Sequence, residues 1–177
     1  MYGLIIALSI VLCAFIAERI AIKKGLSTNI LWGLVFWCVL SGVIGARLYH
    51  VVDQWAFYSR NFMAIFTIWN GGLGIIGGLL AGSITALVYL VLKKQNVLVW
   101  FDVAVLVIPL GQAVGRLGNL ANQELLDVAP KEIIMDLGLL SILWLIMLGT
   151  EKLHKKMQPG LLTLIYILGY TLIRTLR

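Results

Sequence analysis

The stretch GQAVGRLGNLANQE, residues 111–124, places an arginine and several amides at the end of an apolar run. On a helix, which advances about 100° per residue, its polar side chains form one stripe: Gln112, Arg116, Asn119 and Gln123. A guanidinium grips a phosphate with two parallel donors, and amides can donate beside it. The stretch is therefore a candidate site for an anionic headgroup. The simpler alternative is an interhelical hydrogen-bond seam.

Two other apolar segments also end in arginine. Arg47 lies beside His50 in GARLYHVVD, and Arg174 lies one helical turn after Tyr170 in GYTLIRTLR. An arginine inside a membrane costs about 2.5–3.5 kcal/mol on insertion scales, so three at similar depth suggest a shared purpose. The alternatives are an interfacial role for His50 and snorkelling of Arg174 to the membrane surface.

Glycines are concentrated in IWNGGLGIIGGLLAGS, residues 68–83, which contains a G-x-G-x-x-G motif starting at Gly72. A dinucleotide-binding fold needs a strand before that motif, whereas here the motif opens a long apolar helix. Gly74, Gly78 and Gly82 recur every four residues, a pattern typical of tightly packed membrane helices. The bare glycines at the start of this helix would also let a phosphate approach its N-terminal amides.

The elements that must position these residues follow from composition. The chain has 177 residues, 61% hydrophobic and 12% charged, with a mean hydropathy of +0.99, far too apolar for a soluble domain. A helix needs about 20 mostly apolar residues to cross the hydrocarbon core. Six segments qualify when they are read with their flanks: 1–18, 29–50, 69–92, 98–121, 131–150 and 160–177. We predict an all-α, polytopic transmembrane helical bundle of about six helices, with residues 1–177 forming one membrane-embedded domain.

The net charge of +6 reflects topology and not a nucleic-acid surface. Most basic residues fall in the first, third and fifth loops, on one side of the bundle: Arg19, Lys23, Lys24, Lys93, Lys94, Lys152, Lys155 and Lys156. The positive-inside rule makes those loops cytoplasmic and puts the N-terminus outside. The arginine-bearing ends of the second, fourth and sixth spans then lie on the outer side. So does the start of the fifth span, where Glu132 and Asp136 favour the positive helix end.

The two cysteines form no recognisable centre. Cys13 and Cys38 lie in separate spans, with neither metal-ligand nor disulfide spacing, so we expect packing roles for both. No metal-binding or cofactor-binding cluster is apparent, and we expect neither a metal nor a cofactor. The first span lacks the basic start and small-residue cleavage site of a signal peptide, so we expect it to be retained.

Over nearly its whole length, the chain resembles the prolipoprotein diacylglyceryl transferase family. GQAVGRLGNLANQE matches the family signature in order and spacing. Further matches are Tyr2-Gly3, GARLY, IWNGGL followed by GGL, and Gly169-Tyr170 with Arg174. The resemblance implies an enzyme of lipoprotein biosynthesis in the bacterial cytoplasmic (inner) membrane, with its active site facing the outer leaflet.

The resemblance also implies the reaction and its partners. A diacylglyceryl group passes from phosphatidylglycerol to the lipobox cysteine thiol of a preprolipoprotein, which forms a thioether and releases glycerol phosphate. Departure of a phosphate from carbon needs cations on that phosphate, and Arg116 and Arg174 are the implied catalytic residues. The implied substrate-binding residues are Tyr2, Arg47, Gly71, Gly72, Gly77, Gly78, Gly115, Asn119, Asn122, Glu124 and Tyr170.

The group that takes the thiol proton is the main departure from the family pattern. Ile76 stands where the family usually has a histidine that is often proposed as a base. Because the thiolate is the nucleophile, something else must remove the proton. His50 and Glu124 are the candidate bases, and the field of the arginines alone is the alternative.

Three further departures concern length and the fifth span. The family's long outer insertion after the signature is reduced to about residues 125–129, and its His-Pro pair reads Ala129-Pro130. The chain stops at Arg177, before an acidic residue and a seventh helix that are usual in the family. We therefore expect a short, divergent or C-terminally incomplete member.

Two other function classes remain open at this point. A catalytically impaired, phospholipid-headgroup-binding membrane protein would keep the arginines without transferring anything to a thiol. A small-solute transporter fits less well, because transporters place a polar site near the midplane between paired repeats. Here the polar residues gather in the outer half, and no internal repeat is visible.

Overall fold

The computed structural model describes residues 2–123, 125–153 and 157–175, apart from the side chains of Tyr2 and Asn70. Within these ranges the chain is helical and contains no strand, so the predicted all-α class is confirmed. The α-helices are α1 (Tyr2–Lys23), α2 (Thr28–Asp53), α3 (Trp55–Tyr58), α4 (Ile75–Leu92), α5 (Val97–Val105), α6 (Ile108–Ala121), α7 (Ala129–Lys152) and α8 (Leu161–Thr175). Two short 3₁₀ helices, Phe62–Phe66 and Ile68–Asn70, precede α4.

Five of the six predicted spans each contain one long helix, and the fourth, 98–121, contains two, α5 and α6. Four helices, α1, α2, α4 and α7, are long and apolar enough to cross a membrane on their own. The pair α5 and α6 qualifies together and bends by 41° at its break, whereas α8 is apolar but shorter, with 15 residues. The prediction of a polytopic membrane protein is therefore confirmed. The external N-terminus and the single domain stay predictions.

The third span starts later than predicted. Its helix begins at Ile75 and not at residue 69, because a 3₁₀ turn and two glycines come first. Gly71 and Gly72 have φ values of +87° and +76°, which a right-handed helix cannot contain. The predicted boundary was wrong because periodicity detects the apolar run but not the positive φ within it.

The fourth span is broken at Leu106 and Val107, between α5 and α6. Pro109 lies in the first turn of α6, where its missing N–H costs nothing. Carbonyls freed by a break inside a membrane need other donors. The Leu106 carbonyl accepts from the indole Nε1 of Trp144 at 3.0 Å. The Val107 carbonyl accepts from the N–H of Gly111 at 3.2 Å and, in addition, from the thiol of Cys13 at 3.4 Å. These bonds stabilise the break that sets the direction of α6.

Trp144→Phe is expected to lower the free energy of unfolding by about 1–3 kcal/mol, because it leaves a buried carbonyl without its donor. Thermal unfolding in detergent measures the change. Trp37→Phe is the matched control, since that indole is exposed. Equal losses in the two variants would show that the bond to Leu106 contributes nothing.

The chain divides into two compact units, residues 1–28 with 96–177 and residues 29–95. In the first unit, α6 packs against α1 and α7, and α8 packs against α5 and α7. Its largest fully buried side chains are apolar and include Trp100, Leu106, Leu143 and Leu162. This unit contains α6, with the signature stretch, together with α7 and α8.

The second unit joins α2 and α4 through glycine. A Cβ added at Gly77 would overlap the Gly45 carbonyl, and one at Gly78 would lie 3.3 Å from the Gly42 carbonyl oxygen. The backbones approach so closely that Gly74 N–H donates to the Ala46 carbonyl at 2.9 Å. Tight packing of the glycine-rich span, as its four-residue repeat predicted, is therefore confirmed.

Candidate functional site

Two arginines meet one buried carboxylate in the first unit. Glu132 of α7 is 4% exposed, and its Oε2 lies 2.6 Å from Nε of Arg116 on α6. Its Oε1 lies 3.2 Å from Nη1 of Arg174 on α8. The two residues predicted as catalytic thus converge on the same side chain. We call Arg116, Glu132 and Arg174 the ion cluster.

Helix direction and the helix dipole explain why the ion cluster forms. Pro130 starts α7, so Glu132 lies in its first turn, where the positive helix end favours an acid. Arg174 lies in the last turn of α8, where the negative end favours a cation. Since α7 packs against both α6 and α8, its first turn meets Arg116 and Arg174 together.

Two stacked tyrosines connect the ion cluster to the polar stripe of α6. Nε of Arg174 donates to the Tyr170 hydroxyl at 2.9 Å, and the guanidinium carbon lies 5.3 Å from the centre of the same ring. Tyr170 stacks on Tyr166 with ring centres 5.8 Å apart. Nε2 of Gln112 donates to the Tyr166 hydroxyl at 2.9 Å. These contacts hold the Arg174 guanidinium in a fixed orientation.

Asp136 lies one helical turn after Glu132 on α7. It is 2% exposed and interacts electrostatically with both arginines of the ion cluster. Its Oδ1 is buried and has no hydrogen-bond partner in the part of the chain that the structure describes. Sequence reasoning treated Glu132 and Asp136 only as charges at a helix start. Two acids four residues apart within an apolar span were the signal that could have placed them in the site.

The rest of the signature lies along α6 and just beyond its end. Asn119 is buried on α6, Asn122 is exposed at the helix end, and a Cβ at Gly115 would meet no atom of the described residues within 4 Å. Gln123 was predicted to continue the helical stripe, but α6 ends two residues earlier and Gln123 has a φ of +59°. Its place in the stripe was therefore wrong. Glu124 lies outside the described residues, as does the side chain of Tyr2.

Arg47, in the second unit, binds backbone. It is 7% exposed, and its guanidinium lies 5.2 Å from the centre of the Tyr58 ring. It donates at 2.9 Å to the Ile65 carbonyl and at 2.7 and 2.9 Å to those of Gly71 and Gly72. Further bonds from the same guanidinium reach the carbonyls of Ala64 and Thr67. Arg47 therefore holds the turn before α4, and its role in substrate binding stays a prediction.

The predicted glycines and His50 surround the same turn. The His50 ring packs edge-on against Tyr58, with centres 5.9 Å apart. A Cβ at Gly72 would lie 2.6 Å from the His50 ring and 2.8 Å from Nη1 of Arg47. At Gly71 a Cβ would meet nothing within 4 Å. Gly72 thus permits the close approach of both side chains, and a role for His50 as a base stays a prediction.

Gly72→Ala is expected to lower the free energy of unfolding by about 1–3 kcal/mol through positive-φ strain and the clash with Arg47. Gly71→Ala is the matched control, because Gly71 shares the positive φ but has open space around its Cα. Thermal unfolding of both variants in detergent separates strain from clash. Equal destabilisation would contradict the proposed steric contact at Gly72.

The ion cluster has donors left over for an anion. Among the described residues, neither Nη group of Arg116 nor Nη2 of Arg174 has a hydrogen-bond partner. Guanidinium groups from two helices can hold one phosphate with paired donors. Because the site is largely shielded from water, its electrostatic interactions are stronger than those at an exposed surface. The geometry therefore suits an anionic ligand whose charge increases during a reaction.

Comparisons with known proteins agree with this chemistry. The family model described as prolipoprotein diacylglyceryl transferase matches residues 1–177. A protein of Symbiobacterium thermophilum is 44% identical over 131 residues, which cover 73% of this chain and 49% of that protein. A protein of Streptococcus pyogenes is 36% identical over 123 residues, which cover 70% of this chain and 48% of that protein. Both carry the name phosphatidylglycerol–prolipoprotein diacylglyceryl transferase, and the chain spans about half the length of these curated relatives.

Proposed function

The chain belongs to the prolipoprotein diacylglyceryl transferase family, and from that premise we propose that it transfers diacylglyceryl from phosphatidylglycerol to a prolipoprotein. The acceptor is the lipobox cysteine thiol, the product is a thioether, and the leaving group is glycerol phosphate. One observation carries the proposal: two arginines from separate helices converge on one buried carboxylate.

In this mechanism, Arg116 and Arg174 bind the phosphate. The carboxylate of Glu132 holds the two guanidinium groups in place, and the phosphate binds to the Nη donors that Glu132 does not use. As the bond between carbon and oxygen breaks, the phosphate gains a second negative charge. Fixed guanidinium groups stabilise that developing charge without having to reorganise, which is the usual source of large electrostatic rate effects.

Other predicted residues support the headgroup in this proposal. Tyr170 orients Arg174 through their hydrogen bond, and the open space beside Gly115 admits the headgroup next to Arg116. Asn119 and Asn122 follow Arg116 along the signature and supply further donors.

We place the active site on the outer side of the bacterial cytoplasmic membrane. The end of α6, the start of α7 and the end of α8 meet at the ion cluster. The basic loops at the opposite ends of these helices support a cytoplasmic position for those ends. A site at the outer end receives lipid from the outer leaflet and a prolipoprotein after its export.

Reconstituted transfer tests the proposal. Vesicles that contain the purified protein and phosphatidylglycerol labelled in its acyl chains are mixed with a lipobox peptide. Label is expected on the cysteine peptide and not on a matched serine peptide, and glycerol phosphate should be released in equal amount. Protein that binds the labelled lipid but never modifies the thiol would instead be a phospholipid-binding protein.

A further inference from the structure

We propose that Asp136 accepts the proton of the attacking thiol, an inference that rests on the transfer reaction proposed above. Its Oδ1 is buried and has no hydrogen-bond partner among the described residues. An acceptor left without a donor inside a protein is costly, and such atoms are rare enough to need an explanation. A role in accepting a proton during catalysis explains why Oδ1 of Asp136 has no donor.

Comparison of the buried carboxylates singles out Asp136. Asp102 caps the start of α8, accepting from Gly160 N–H at 2.7 Å and from the N–H and hydroxyl of Thr163 at 2.9 and 2.8 Å. Glu132 places one oxygen on each arginine of the ion cluster. In the described ranges of the chain, Oδ1 of Asp136 is the buried carboxylate oxygen that has neither a hydrogen bond nor an ion pair.

The position of Asp136 matches the geometry of the displacement. It follows Glu132 by four residues on α7, a rise of about 6 Å further into the span. A nucleophile that displaces a phosphate attacks carbon from the side opposite the departing oxygen. The departing phosphate is bound at the level of Arg116 and Arg174. The thiol attacks the carbon from the opposite side, further into the span, and therefore approaches at the level of Asp136.

The proton and charge balance supports the same assignment. The S–H bond breaks, its proton moves to Asp136, and the sulfur forms a bond to the glyceryl carbon. The bond between that carbon and the phosphate oxygen breaks, and its electron pair leaves with glycerol phosphate. Asp136 loses one negative charge as the phosphate gains one, so the net charge of the buried site stays constant. A buried site favours such a balance because uncompensated charge there is expensive.

A pH test of Asp136 must take into account the charged and titratable groups that interact with it. The charged and titratable side chains that interact with it are Arg116 from α6, Arg174 and Tyr166 from α8, and Glu132 from its own helix. Asp136→Asn removes the acceptor at nearly constant volume and leaves these four groups in place. The substrate thiol must then lose its proton to water before it attacks.

Asp136→Asn is expected to reduce transfer at neutral pH about thirtyfold, since a thiol with an ordinary pKa of about 8.5 is only about 3% ionised there. The rate should recover about tenfold for each unit of rising pH until the thiol is fully ionised. Wild-type protein should show a much flatter profile over this range. Retention of labelled phosphatidylglycerol should not change, because the ion cluster is intact. Asp127→Asn, an exposed acid before α7, is the matched control and should behave as wild type.

Each outcome decides the inference. Wild-type rates for Asp136→Asn at neutral pH would overturn it while leaving the transfer reaction standing. Loss of lipid binding, or loss of transfer without alkaline recovery, would also overturn it, because Asp136 would then be structural. Asp136→Glu keeps a carboxylate and should keep the flat profile. If it needs alkaline pH as the asparagine variant does, the inference fails. A wild-type protein that transfers nothing would remove the proposed function and this inference together.

Discussion

Arg116→Ala is expected to lower diacylglyceryl transfer by about two to three orders of magnitude, the usual loss when one donor to a developing charge is removed. Arg116 is 18% exposed, and its Nη groups have no hydrogen-bond partner among the described residues, so they are available to the phosphate. Arg174 remains as a partner for Glu132 in the variant, which keeps the carboxylate compensated. The loss should therefore appear in the rate more than in folding.

A graded series separates charge from geometry at this position. Arg116→Lys keeps the charge but not the planar fork, so its rate should lie between those of wild type and the alanine variant. Arg60→Ala removes an exposed arginine outside the ion cluster and should leave transfer unchanged. Membrane insertion and thermal unfolding are measured in parallel. Full transfer by a well-folded Arg116→Ala protein would remove Arg116 from the catalytic site.

Glu132→Ala is expected to lower the free energy of unfolding by about 3 kcal/mol, the low end of the range for breaking a buried ion pair. The variant leaves two arginines without the carboxylate that holds them. The low end applies because the Arg174 side chain is 35% exposed, so water can compensate part of its charge. Thermal or denaturant unfolding in detergent measures the change.

A double-mutant cycle tests whether the loss comes from the ion cluster. Arg116→Ala combined with Glu132→Ala removes one of the two uncompensated cations, so the double variant should lose less than the sum of the single losses. Glu132→Gln, which keeps hydrogen bonding to the arginines, should be milder than Glu132→Ala. Strict additivity would mean that the two side chains contribute independently and that the contact between them is not stabilising.

Much of the architecture could be predicted from the sequence because it depends on local patterns. Apolar runs long enough for a bilayer predicted a polytopic helical bundle, since lipid tolerates few polar groups. The repeat of Gly74, Gly78 and Gly82 indicated close packing because only glycine lets two backbones approach so closely. Helical periodicity likewise placed Gln112, Arg116 and Asn119 on one stripe. Each of these inferences needs only residues that are neighbours along one helix.

Predictions from local patterns failed where the structure depends on contacts with distant residues or on backbone dihedral angles. The bend near Pro109 and the late start of α4 depend on φ values and on carbonyl partners from other helices. The donors of Arg47 are engaged with carbonyls 17 to 25 residues away along the chain. Nothing in the spacing of GARLY specifies those partners.

The sequence by itself determined that three arginines end apolar spans and that two acids begin another. Tertiary structure alone decided how these charges combine: Glu132 bridges Arg116 and Arg174, while Oδ1 of Asp136, one turn away, has no hydrogen-bond partner among the described residues. The physical reason is that the cost of a charge in an apolar interior depends on what lies within a few ångströms. Helix packing sets those distances, and periodicity along a single helix does not contain them.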